Sequence, residues 1–140
     1  MDLLPPDDDR RVAALRAFKV LDTPKEPSFD ALTRLAARLF NVSIALVSLV
    51  DEDRQWFKSA HGLDAPETPR NQAFCTYAIM ETEPMVVLDA TQHERFRENP
   101  LVTGEPGIRF YAGAPLVTED GFSLGTFCII DTVPRKEFLG

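Results

Sequence analysis

Few residues in this chain are of the types that do chemistry: two cysteines, two histidines and, between two apolar runs, the acidic triplet Asp51-Glu52-Asp53. Cys75 sits in AFCTYAI and Cys128 in TFCII, apolar surroundings for both thiols. They form neither a disulfide framework nor a C-x-x-C metal motif, so each is expected as a buried, hydrophobe-like thiol. Thiol catalysis needs an accessible thiolate beside an electropositive group. Cys128 shows no such activator, and Cys75 has no resolving partner nearby in sequence. His61 stands beside Gly62, and His93 stands among Gln92, Glu94 and Arg95. Both read as solvated histidines, because haem needs an axial His in an apolar slot and zinc needs three or four converging ligands. Asp51, Glu52 and Asp53 suit a solvated turn tip better than an acid–base pair. No Ser-His-Asp arrangement and no phosphate-cradling glycine loop occurs. Neither a catalytic residue nor a metal ligand is expected.

The elements that position these residues follow from periodicity and breakers. A helix is expected from about Asp8, with Val12, Leu15 and Phe18 on one side and Leu21 near its end. Arg10, Arg11, Arg16 and Lys19 fall on its other faces, and Asp7 to Asp9 favour its N-terminus. Asp22-Thr23-Pro24 stops it. Ser28 is the expected N-cap of a second helix reaching about Phe40, with Phe29, Leu32, Leu35 or Ala36, and Leu39 as its inward stripe. Ser43 to Val50 is apolar on both faces and reads as a central strand. Arg54 to Ala60 returns as a second strand, Trp56 and Lys58 facing one way and Gln55, Phe57 and Ser59 the other.

After the Pro-rich loop Leu63 to Arg70, Asn71 is placed to cap a short helix from Gln72 to about Met80. A short strand, Met85 to Leu88, precedes a helical turn or two within Gln92 to Asn99, and Pro100 to Gly107 reads as irregular. The longest feature is a hairpin, Ile108 to Asp131, turning at Glu119-Asp120-Gly121, where Asp-Gly between apolar runs is a strong turn signal. Gly113 and Gly125 interrupt its strands, as glycines do at a bulge or a close approach. The string of elements implies a single α+β domain: an antiparallel sheet with helices on one face, and short helices and loops covering a pocket on the other.

Composition sets the wider bounds. At 140 residues, 44% of them hydrophobic, one core is expected. The net charge of −7 argues against nucleic acid as the main partner. No run of about 18 apolar residues is present to span a membrane, and the acidic start MDLLPPDDDRR is unlike a secretory signal, so a cytoplasmic domain is expected.

Four blocks in order, FDALTRLAARLFNVSIALVSLVDEDRQWFKSAHGL, AFCTYAI, MVVLDATQHERF and IRFYAGAPLVTEDGFSLGTFCIID, resemble the GAF domain family. The resemblance runs from about Leu15 to Arg135 and is nearest to GAF modules that precede histidine-kinase or diguanylate-cyclase outputs in bacterial signalling proteins. It implies a non-catalytic sensory domain, a ligand pocket in front of the sheet, a homodimer, and a kinase or cyclase output in the full-length protein. It also implies a downstream linker helix for which this sequence has no counterpart. A bilin-binding member carries His after its cysteine, whereas Thr76 follows Cys75. The Asn-Lys-x-Asp-Glu set of cyclic-nucleotide binders is absent. Free methionine sulfoxide reductases are catalytic relatives of the same fold and form the enzyme alternative.

On that frame the ligand-contacting residues are Phe74, Cys75 and Tyr77 from the first covering helix, Asp89 and Phe96 from the second cover segment, and Arg109 and Tyr111 from the floor strand. Such walls suit a small polar or zwitterionic molecule, and no cofactor is assigned. The competing arrangement is a filled core with Arg109 paired to Asp89, in a domain used for dimerisation alone.

Overall fold

The computed structural model describes residues 7–70 and 74–138. Helix α1 (Asp8–Ala17) begins with Asp8 and Asp9, whose charges suit the helix N-terminus, and has Arg16 in its last turn. Val12 and Leu15 are buried as expected, but Phe18 is exposed because the helix ends before it and Lys19 turns the chain at φ 54°. Arg11 departs from the expected wet face. It is buried, because Asp8 neutralises it and the Ser123 carbonyl accepts from its Nη1.

Helix α2 (Pro27–Phe40) is preceded by Glu26 at the cap position, two residues before the expected Ser28 cap, and ends at Asn41 in the left-handed region. Its inward face is the larger correction. Thr33, Ala36 and Ala37 lie against the sheet, so Ala36 is the inward one of the expected alternatives, whereas Leu32, Leu35 and Leu39 are 48, 53 and 71% exposed. Small residues let the helix axis approach the strands, and the Thr33 hydroxyl meets that of Ser59 at 2.9 Å. The apolar stripe thus points to the outside of the domain.

Strands β1 (Ile44–Val50), β2 (Arg54–His61), β3 (Glu67–Pro69), β4 (Met85–Val87), β5 (Phe110–Val117) and β6 (Ser123–Asp131) form one antiparallel sheet in the order β3-β2-β1-β6-β5-β4. β1 is buried along its whole length, as its continuous apolar run requires. In β2 the register slips between Val47↔Ser59 and Ser48↔Phe57, leaving Lys58 as the extra residue of a bulge. The bulge breaks the expected alternation: Ser59 joins Lys58 on the helix side, bonding Thr33 and Asp30, while Phe57 stays in the opposite core. β3 lies inside the Pro-rich segment expected as loop, and as an edge strand it tolerates Pro69.

The hairpin turns at Gly121, φ 90°, with the Thr118 hydroxyl accepting from the Phe122 amide. A Cβ at Gly125 would lie 1.9 Å from the Ser48 carbonyl oxygen, so close approach of β1 explains this glycine. Helix α1, through Leu15, and helix α2 cover one face, over Ala45, Leu49, Trp56, Phe110 and Ile129. The other face is covered by α3 (Cys75–Ala78), a 3-10 turn (Ala90–Gln92) and α4 (Pro100–Thr103). The expected cap Asn71, with residues 72 and 73, lies outside the described residues. α4 replaces expected irregular chain: Asn99 accepts from the Leu101 amide and Pro100 opens the first turn. Among the described residues no helix is long and apolar enough to cross a membrane.

Candidate functional site

Between cover and sheet the aromatic side chains close on one another. Phe74 stacks on Phe96 at 4.1 Å between centroids, Tyr77 meets Phe96 edge-on at 5.1 Å, and Phe74 tilts over Tyr111 at 5.2 Å. Alternation along β5 turns Tyr111 toward the cover and Phe110 and Ala112 toward the helices. Gly113 makes this possible, because a Cβ there would fall 2.3 Å from the Tyr111 hydroxyl.

Cys75 comes down from α3 onto the same spot. Its Sγ lies 3.2 Å from Tyr111 Oη and 2.9 Å from Thr126 Oγ1. Thr126 and Cys128 share one face of β6, which brings the Cys128 side chain into the same buried cluster as Cys75. Ser48, from β1, presents a buried hydroxyl with no satisfied hydrogen bond beside them. Burial pushes the Cys75 thiol up, but the Cys128, Thr126 and Tyr111 groups around its sulfur outweigh this and bring it down to about 7. Cys128 is held well above its usual range by its hydrogen bond to Cys75 and by burial. Tyr111 is raised by burial and by the neighbouring sulfur charge.

The expected site residues therefore divide. Phe74, Cys75, Phe96 and Tyr111 are brought together and buried, with Tyr77 packed on their outer side. Asp89 and Arg109 do not pair. Asp89 accepts from the Thr91 amide at 3.0 Å and the Thr91 hydroxyl at 2.6 Å, whereas Arg109 donates to the Val102 and Ile108 carbonyls, both at 3.0 Å. At the outer edge of the cover lies an open cavity of about 560 Å³, lined by Tyr77, Met80, Glu81, Glu83, Pro84, Met85 and Arg95. Arg95 sits 4.8 Å over the Tyr77 ring.

Sequence reasoning missed Ser48, Thr126 and Arg95. A hydroxyl inside an apolar strand was the available signal for the first two; Thr126 meets the Cys75 sulfur, whereas Ser48 is left without a partner. Arg95 carried none. The acidic triplet also splits, because Asp51 is buried between Arg16 and Arg54 while Glu52 and Asp53 are exposed. His61 is exposed, and His93 is half-buried against Phe96. Among the described residues no group of three or more His, Cys, Asp or Glu could hold a metal ion.

A six-stranded antiparallel sheet with long helices behind and short helices in front defines an α+β domain with a lined interior under its cover. The GAF domain model matches residues 25–139, and the chain belongs to that family. It is 45% identical over 131 residues to a cyclic di-GMP phosphodiesterase of Pseudomonas aeruginosa, a match that takes in 94% of this chain and 22% of that protein. The chain thus spans about a fifth of the length of this relative. Among solved structures, the GAF domain of an Acinetobacter phosphoenolpyruvate-protein phosphotransferase superposes with a TM-score of 0.60 at 17% identity, over 90% of this chain and 79% of that one. The type II free methionine-R-sulfoxide reductase of Thermoplasma acidophilum gives 0.62 at 11% identity, over 79 and 77%. At those identities the likeness is one of fold.

Proposed function

We propose that this is a sensory GAF domain without catalysis of its own, which binds a small molecule under its cover and biases an output that acts on cyclic di-GMP. The observation that carries the reading is the 45% identity to a GAF-sized part of a cyclic di-GMP phosphodiesterase. That relative directs attention to phosphodiesterase outputs, in addition to the kinase and cyclase outputs that the sequence resemblance suggests. Phe74, Cys75, Tyr77, Phe96 and Tyr111 supply the apolar and thiol contacts, and Asp89 and Arg109 lie at the margin of the same cover. Tyr77 also lines the open cavity, so it links the entrance to the interior. Its size, about 560 Å³, falls within the usual range for small-molecule sites. Binding acts by favouring one arrangement of the cover over another, and only a ligand with different affinity for the two can shift them. Native mass spectrometry of the purified protein, with thermal shift across a metabolite panel, tests this. A retained mass released on denaturation, or a reproducible shift, is expected. A ligand-free protein with no shift would overturn it.

A second reading is favoured by a specific observation. Phe74, Phe96 and Tyr111 fill the interior themselves, while three leucines of α2 face outward. A domain with a filled interior and an apolar outer helix acts as a dimerisation module. Sedimentation equilibrium of the wild type and of Leu35→Glu separates the readings: a dimer lost in the variant, with no ligand found, supports the second.

A further inference from the structure

Cys75 and Cys128 are far apart in sequence and sit on different layers, yet both side chains enter one buried cluster. Both are free thiols, 3 and 1% exposed. Among the hydroxyls in these otherwise apolar surroundings, those of Tyr111 and Thr126 lie 3.2 and 2.9 Å from the Cys75 sulfur. Hydroxyl donors around sulfur stabilise a thiolate, the nucleophilic form. Cys128 is two residues from Thr126 on the same face of β6, so a second free thiol neighbours the Cys75 site as a resolving cysteine must. Two cysteines serving only as small hydrophobes would need neither feature.

We propose that Cys75 and Cys128 are a redox-active dithiol, oxidised by a small hydroperoxide to a disulfide that ties α3 to β6. The Cys75 sulfur attacks one peroxide oxygen and the O–O bond breaks. The leaving alkoxide or hydroxide takes up the proton given up by the Cys75 thiol, and Cys75 becomes a sulfenic acid. The Cys128 sulfur then attacks Cys75 Sγ. The S–S bond forms, the S–O bond breaks, and water leaves carrying the Cys128 proton. In sum, two thiols and one hydroperoxide give one disulfide, one alcohol or water, and one water. The burial of both sulfurs restricts the oxidant to a small neutral molecule, which reaches them when the four-residue helix α3 lifts from the sheet. The disulfide holds that helix down, so the oxidised domain has a fixed cover and the reduced domain a movable one.

The test uses the whole chain exposed to hydrogen peroxide and then alkylated in denaturant. The expected result is a loss of both titratable thiols, a mass lower by two hydrogens, and a proteolytic peptide joining Cys75 to Cys128 that dithiothreitol separates. Cys128→Ser is expected to stop at a sulfenic acid on Cys75 that dimedone captures, with no bridge. Two intact thiols after the same exposure has oxidised methionine would overturn the proposal. So would a bridge between two chains, or sulfinic acid on Cys75 with Cys128 still free. Because the wild-type map is decisive alone, a poorly folded variant does not weaken the test.

Discussion

Asp8 lies at the centre of a buried ion cluster, and its replacement has a calculable cost. Its carboxylate accepts from Arg11 Nε at 2.9 Å, from Arg70 Nη2 at 2.7 Å and from Arg70 Nη1 at 2.9 Å. The Arg11 and Arg70 side chains are 2 and 5% exposed, and Arg11 Nη2 and Arg70 Nε already lack partners. Asp8→Asn keeps the shape but removes the charge that compensates both guanidinium groups. Breaking a buried pair of this kind costs about 3–5 kcal/mol. With a urea m-value of about 2 kcal/mol/M, the unfolding midpoint should fall by about 1.5–2.5 M. Asp9→Asn is the control: it removes an exposed charge from the same helical turn and should cost less than about 1 kcal/mol. Equal midpoints for the two variants would refute the argument. Acid adds a second check. Burial raises the Asp8 carboxyl, but hydrogen bonds from Arg70 and Arg11 prevail and hold it below its ordinary value. Its stabilisation is therefore complete above the unfolded carboxylate value of about 3.9 and is lost as pH falls through the lower folded value. The wild type should lose stability steeply there, and Asp8→Asn should show a shallower acid limb.

Gly125→Ala should cost about 3 kcal/mol or more, read by urea unfolding, because its Cβ meets β1 backbone that cannot move without parting the central strands. Phe96→Ala, which removes a fully buried ring stacked on Phe74, should cost about 3–5 kcal/mol by the same measure. Tyr111→Phe removes one of the groups that hold the Cys75 thiol down, so the midpoint of its thiolate absorbance should move upward; an unchanged midpoint would remove Tyr111 from that role. Leu35→Glu should alter the stability of the isolated domain by no more than about 0.5 kcal/mol, and a loss of several kcal/mol would contradict the outward orientation of the α2 leucines.

The sheet was readable because its signals are local. The buried run of β1 and the Asp-Gly turn of the hairpin each constrain the backbone through the residues that form them. The face of α2 was not readable in that way. Its leucines make a proper helical stripe, but a small-residue face of Thr33, Ala36 and Ala37 fits closer to the strands, and that choice depends on the surface opposite. The bulge at Lys58 was hidden for a similar reason, since it depends on the pairing of two strands and not on either one. In the candidate site, the aromatic members were found because large apolar residues in short cover segments have few places to go. The cysteine pair was missed because Cys75 and Cys128 meet only when α3 is folded over β6.

Lys58 shows what the bulge makes available. Its ammonium, on a side chain 1% exposed, donates to Thr23 Oγ1 at 2.9 Å and the Pro24 carbonyl at 2.7 Å, and pairs with Glu26 at 2.6 Å. These acceptors belong to the connection between α1 and α2, so the amine is sealed by chain that is not itself part of the sheet. Lys58 is therefore a native chemical clock for that connection: acylation of its amine should proceed only as fast as the connection lifts away. Comparing its labelling with that of exposed Lys19 would time this opening without any introduced probe.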